Sequence, residues 1–121
     1  HYHESVNHTL DYAYSDFCIS RVAKVLAEDE TVKKYQQRSL NYQHIFDYET
    51  GWMRSKDKNG KFREPFSAHR WGQDYAEGSA WQSSFAVYHD FAGLIEKYGG
   101  SERFKEKLID LCNQSPTFET G

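Results

Sequence analysis

The stretch DYAEGSAWQSS, residues 74–84, sets one carboxylate, Glu77, between Tyr75 and Trp81 and directly before a glycine where a helical pattern begins. Two chemistries suit that placement. A carboxylate just ahead of a helix interacts favourably with the helix dipole and can accept backbone N–H bonds, a structural role. A carboxyl group walled by aromatic rings is shielded from water, holds its proton more tightly and can serve as a general acid. Single carboxylates outside a motif more often serve structure than catalysis, so the residues alone leave both roles open.

Other polar residues offer less. Asp74, three positions before Glu77, is placed to shape the loop and not to act as a second catalytic carboxylate. The opening His1-Tyr2-His3 invites a copper site built from His1 and a terminal amine, but such sites belong to β-sandwich oxidases and this chain reads as helical. His89-Asp90 falls in a helical stretch and can either orient a ligand or pair inside the protein. Lys56, Asp57, Lys58, Asn59 and Lys61 read most simply as a solvated hairpin tip. The chain contains no H-E-x-x-H, no G-x-S-x-G and no phosphate-binding glycine loop. Aromatic residues are the remaining asset, at 17% of the chain. Rings stack on the C–H faces of sugars as well as they fill cores. Trp71, Tyr75 and Trp81 are therefore candidate sugar contacts, with core packing the competing role, above all for Trp81 on a helical stripe.

The elements that would position these residues follow from hydrophobic periodicity. Val6, Leu10, Ala13, Tyr14, Phe17, Val22, Val25 and Leu26 recur at three- and four-residue steps and predict a helix over 5–27, with Ser5 as N-cap. Tyr12, Ile19 and Ala23 lie off that stripe, so this helix has two apolar faces and needs more than one neighbour. Val32, Tyr35, Tyr42, Ile45 and Phe46 predict a second helix over 31–48, antiparallel to the first because the AEDE link at 27–30 is short. Gly51, Asn59-Gly60 and Pro65 then break the pattern. That segment reads as a hairpin, Trp52–Ser55 against Lys61–Arg63, ahead of an irregular loop over 67–78. Helix returns over 79–98 on a stripe of Trp81, Phe85, Tyr88, Ala92 and Ile95. Gly99-Gly100 ends it, and Ser101 caps a last helix that runs to about Cys112.

The division is thus a helix pair at 5–48, a hairpin and loop at 49–78, a second helix pair at 79–113 and a tail at 114–121. The expected class is mainly α: about four helices in antiparallel pairs, with a long loop and a small β-hairpin. Connections this long are usually functional in compact domains, and Glu77 closes this one.

Composition bounds the rest. A chain of 121 residues is at most one ordinary domain, and 27% charged against 38% apolar residues is a globular balance. Net charge is −3 with the signs interspersed, which leaves no basic field for a nucleic-acid backbone. Cys18 and Cys112 are too far apart for a C-x-x-C motif and each falls on an apolar helical stripe. They read as buried thiols, with a disulfide between them left open. No apolar run approaches membrane-spanning length and no signal peptide precedes the first helix. The chain opens at His1, which points to a processed product or a piece of something longer.

YAEGSAWQSS at 75–84, followed by YHDFAGLIEKYGG at 88–100, resembles the glycoside hydrolase family 92 α-mannosidases. Their pattern runs approximately T-E-G-N-A-W-Q-Y, then P-H-D, a short apolar helix and a Gly-Gly pair. LDYAYSDFCISRVAK at 10–24 and RSLNYQHIFDYETGWMR at 38–54 are also similar to that family, so the resemblance runs nearly from Ser5 to Cys112. It implies that this chain is a partial catalytic domain, a segment of an (α/α)6 barrel that follows an N-terminal β-sandwich. It implies an inverting, calcium-dependent α-mannosidase acting on α-linked mannose of glycans, in a secreted or periplasmic location, with Glu77 as the general acid. The calcium ligands are not identified in this segment.

Three positions depart from the pattern: Ser79 stands where the family usually has Asn, Ser83 where it has Tyr and Tyr88 where it has Pro. The family's base carboxylates lie downstream in a Gly-Asn-Asp-Asp stretch that this chain lacks, so the segment alone is expected to be inactive. It is also expected to self-associate through the apolar faces that would meet missing neighbours. A helical carbohydrate-binding or interaction module without chemistry is the alternative reading. A purely structural domain would gain if Glu77 were buried in an ion pair.

Overall fold

The computed structural model describes residues 3–120, so His1 and the copper reading attached to it lie outside the described residues. Helix α1, Ser5–Val25, buries Val6, Leu10, Ala13, Asp16, Ser20 and Ala23 at three- and four-residue steps. The stripe is narrower than its sequence suggests: Tyr14, Val22, Val25 and Leu26 are exposed, along with Tyr12 and Ile19 on the second apolar face. Ser5 is not the N-cap. Glu4 holds that position in a left-handed conformation without a side-chain bond. The helix's first donors are met instead by the distant loop, Glu4 N–H by Gln73 O at 2.7 Å and Val6 N–H by Asp74 O at 3.1 Å. A helix start needs partners for its free N–H groups, and here tertiary structure supplies them.

Helix α2, Asp29–Ser39, folds back on α1 and is tied to it by an ion pair from Arg38 Nε to the buried Asp16 carboxylate at 3.0 Å. It stops well short of residue 48. A 3₁₀ turn, Asn41–Ile45, follows, then β1, Phe46–Asp47, which pairs antiparallel with β2, Trp52–Met53. Asp47 closes this turn by accepting from Glu49 N–H and Thr50 Oγ1, and Gly51 supplies a φ of +73°. Trp52 therefore pairs upstream rather than with Lys61–Arg63. The Asn59-Gly60 turn does reverse the chain, joining Ser55–Asp57 to Lys61–Arg63 through Arg63 N–H to Ser55 O at 3.0 Å and Asp57 N–H to Lys61 O at 2.8 Å. Its tip, from Lys56 to Lys61, is exposed.

Strand β3, Arg70–Trp71, interrupts the irregular loop. The helix expected over 79–98 is split into α3, Ala80–Ser83, and α4, Phe91–Lys97. Asp90 is the reason: its carboxylate caps α4 by accepting from Gly93 N–H at 3.0 Å and takes Tyr42 Oη–H at 2.7 Å. Aspartate favours a cap over a helix interior, and a buried tyrosine partner fixes it there. His89 is likewise structural, with Nε2 at 2.8 Å from Ser39 O.

Helix α5, Ser101–Asn113, begins after Gly99 and Gly100, and Ser101 is its first residue rather than its cap. The tail returns to the fold: β4, Glu119–Thr120, pairs in parallel with Arg70–Trp71. The core gathers Leu10, Tyr42, Met53, Val87 and Leu94 around an aromatic group in which Tyr98 meets Phe46 at 5.2 Å and Phe104 at 5.4 Å. Cys18 and Cys112 are both exposed and free, which corrects the buried-thiol reading and leaves them unbridged. No described helix is long and apolar enough to cross a membrane. The class is mainly α, with five α-helices and a small hairpin among the described residues.

Candidate functional site

Glu77 lies on the last turn of loop 72–79, directly ahead of α3. The cap of α3 is Ser79, not Glu77: Ser79 Oγ accepts from Trp81 N–H at 3.3 Å. Gln82 completes a capping box by accepting from Ser79 N–H at 2.8 Å and from Ser79 Oγ–H at 2.6 Å. The A-W-Q part of the motif thus has a local structural job that does not involve the glutamate.

Glu77 itself is exposed, and among the described residues its carboxylate has no hydrogen-bond or ion-pair partner. Its backbone is left-handed, with φ of +46°. A non-glycine residue pays about 1–2 kcal/mol for that conformation, so the surrounding structure must impose it. The cap role and the buried-ion-pair role are both excluded by this geometry. The expected aromatic enclosure is absent within this segment as well.

The loop around Glu77 is pinned from several directions. Gly72 N–H donates to Gly78 O at 2.9 Å and Tyr75 N–H to Gly72 O at 3.2 Å. Asp74 forms an ion pair with Arg63, as a loop-shaping residue should. From α1, Asn7 Oδ1 accepts Ala76 N–H at 2.9 Å.

The three candidate aromatics separate. Tyr75 is only 4% exposed and its hydroxyl donates to Met53 O at 2.7 Å, so its ring packs in the core and cannot stack on a ligand. Trp81 is half-buried, 4.5 Å from the Trp52 ring centroid. Lys107 Nζ stands 3.5 Å over Trp52 and 4.9 Å over Trp81, and burial there lowers its pKa. Trp71 is 39% exposed and lies against Phe118 at 5.0 Å. Beside the loop, a cleft of about 350 Å³ is walled by Trp71, Ser79, Trp81, Gln82, Gln114 and Phe118. Two of the three rings thus border one cleft.

Arg54 and Asn7 escaped sequence reasoning. Arg54 is buried, bonded through Nη1 to Asp47 at 2.8 Å and through Nη2 to Glu64 at 2.7 Å and Arg63 O at 2.6 Å, with Phe66 at 4.2 Å beneath it. This hub fixes the base of the loop. Its proximity in sequence to Asp47 was the available signal; Asn7 offered none, since its partner lies far along the chain.

Antiparallel helices joined by an anchored loop thus present the exposed carboxylate of Glu77, which does not itself line the aromatic-walled cleft. Residues 1–120 match the glycosyl hydrolase family 92 catalytic domain, and the chain belongs to that family. An inverting mannosidase of the family from Bacteroides thetaiotaomicron is 38% identical with a TM-score of 0.86, covering 88% of this chain and 14% of its own. An α-mannosidase of the family from the same organism, solved with mannoimidazole, is 34% identical with a TM-score of 0.90, covering 97% of this chain and 16% of its own. An uncharacterized secreted glycosidase of Arthroderma benhamiae is 28% identical over 127 residues, covering 86% of this chain and 16% of the relative. The chain therefore spans 14–16% of the length of these relatives.

Proposed function

We propose that this chain is the general-acid segment of an inverting α-mannosidase that removes α-linked mannose from glycans, with Glu77 as the acid. One observation carries the reading. Glu77 is held in a costly left-handed conformation, exposed and without a structural partner, while Ser79 and Gln82 take over the capping of the helix behind it. Strain kept at a residue with no structural task supports a functional one. Relatives named as mannosidases, one of them inverting, support the substrate class.

An inverting glycosidase sets its acid and base about 6.5–9.5 Å apart, so that a water fits between the base and the anomeric carbon. Asp74 is committed to Arg63 and does not serve as that base. The family resemblance implies a base downstream of this segment, and this reading takes the enclosure that dries the acid from elsewhere as well. Trp71 and Trp81 line the cleft as sugar-facing rings in this reading; Tyr75 does not take part. Calcium belongs to the reading as well. Among the described residues no group of three His, Cys, Asp or Glu side chains is arranged to hold a cation. A secreted location accords with the fungal relative, a secreted glycosidase.

Glu77→Gln in the full-length protein tests the acid. Sugar alkoxides leave poorly without a proton, so hydrolysis of an α-linked mannobiose should fall by roughly 10²–10⁴-fold. A dinitrophenyl α-mannoside departs readily as an anion and should lose far less. Equal losses on both substrates by a normally folded variant would sink the assignment.

A further inference from the structure

The left-handed turn at Glu77 needs an anchor on each side. On its C-terminal side the anchor is internal to the loop, Gly72 N–H to Gly78 O at 2.9 Å. On its N-terminal side the anchor comes from another element. Asn7 Oδ1, in the first turn of α1, accepts Ala76 N–H at 2.9 Å and lies 3.4 Å from the Ser83 hydroxyl, which donates to it. One amide oxygen therefore ties the residue before Glu77 to the end of the helix that follows it.

The attachment is rigid because α1 is rigid. The same helix start donates Glu4 N–H to Gln73 O and Val6 N–H to Asp74 O, so three bonds hold Gln73, Asp74 and Ala76 within one short stretch of the loop. Two of these are main-chain bonds that any sequence could make. The third depends on the side chain at position 7 and is the one next to Glu77. Both donors that face Asn7 need an acceptor, and an alkyl side chain there leaves a half-buried N–H and a buried hydroxyl unsatisfied.

We propose that Asn7 is a positioning residue for Glu77, holding the acid at the angle from which it can reach the leaving oxygen; the proposal rests on the general-acid reading above. Asn7 touches no reacting atom in this role. Its contribution is to remove the freedom of the 76–77 peptide to turn toward less strained backbone, which would carry the carboxyl away from the scissile bond. Misplacement of a catalytic group by about 1 Å costs on the order of 10²-fold in rate.

The experiment compares Asn7→Leu, Asn7→Asp and Glu77→Gln in the full-length protein, on α-linked mannobiose and on dinitrophenyl α-mannoside. Asn7→Leu should lower kcat on mannobiose by roughly 10–100-fold, with KM little changed and the dinitrophenyl substrate largely spared. The Ala76 amide should exchange faster with solvent in that variant. Asn7→Asp keeps an acceptor oxygen and should retain both the rate pattern and the Ala76 protection. If Asn7→Leu does not fold, Asn7→Ala takes its place with the same expected selectivity. Uniform loss on both substrates by Asn7→Leu, beside selective loss by Glu77→Gln, would overturn the positioning role and leave the acid assignment standing. Uniform loss by Glu77→Gln overturns both.

Discussion

Arg54 helps seat the loop as one half of a buried ion pair. Its guanidinium meets the buried Asp47 carboxylate and the mostly exposed Glu64; both bonds favour its charge, but solvent screens Glu64, so the penalty for an unpaired buried charge falls on the Asp47 pair. Removing one partner of a buried pair leaves the other charged and dry, which costs about 3–5 kcal/mol. Arg54→Met should therefore lower the thermal midpoint of the catalytic domain sharply, whereas Glu64→Gln should change it little; calorimetry of the full-length variants measures both. The same pair predicts acid sensitivity. Burial alone would raise the Asp47 pKa, but hydrogen bonds from Thr50, Arg54 and Glu49 N–H outweigh it and hold the carboxyl below its ordinary value. A group whose folded pKa is depressed stabilises the fold above its unfolded pKa, and that stability is lost as pH falls through the folded value. The loss attributable to Asp47 should thus appear below about pH 4 and should be missing in Asp47→Asn. Legibility at this scale tracks contact range. Glu77 stood out because its neighbours in sequence are also its motif. Asn7 did not, because an asparagine near a helix start looks like solvent-facing polarity until the loop carrying Ala76 arrives.

Elements were read correctly where one local signal dominated. The start of α5 after Gly99-Gly100 and the long reach of α1 follow from glycine conformation and periodicity alone. The misread elements share a cause: apolar spacing continued across a point where tertiary bonds set a new boundary. Trp81, Phe85, Tyr88, Ala92 and Ile95 keep helical spacing, yet Asp90 ends that run by capping α4 while holding the Tyr42 hydroxyl. Tyr42 in turn stops the preceding helix short, since its buried ring and bonded hydroxyl require the 3₁₀ turn. Gly93 tests this junction. A Cβ there would press on the Asp90 carboxylate and come within 2.5 Å of the Tyr42 hydroxyl. Alanine is the better helix former by about 1 kcal/mol, but neither neighbour can withdraw without losing its bond. Overpacking at about 1–3 kcal/mol should win, so Gly93→Ala should destabilise despite its helix propensity. A thermal midpoint at or above that of the parent protein would show the junction to be looser than these bonds imply.

At the scale of the molecule, α1 faces two ways. Its inner stripe is buried, but its outer face presents Ile19, Val22, Val25 and Leu26, with Val25 85% exposed, over an apolar groove shared with Thr31 of α2. The sequence made the two faces legible as apolar; which of them this segment would cover was not, because that depends on which other helices are present. Exposed contiguous apolar surface of this kind marks a missing contact, in keeping with a chain that spans 14–16% of the length of its relatives. In isolation the face can only meet water or another copy of itself. The isolated segment should therefore associate through α1 in a concentration-dependent manner, and on the function proposed above it should release no mannose, since that reading takes its base from elsewhere. Val22→Lys together with Leu26→Glu should suppress the association while leaving helix content unchanged, because neither side chain belongs to the buried stripe. Sedimentation velocity over a range of concentrations distinguishes the outcomes. A segment that remains monomeric throughout, binds no hydrophobic dye and matches the double variant would mean that the outer face is stable against water on its own, and that α1 needs no partner beyond those in this chain.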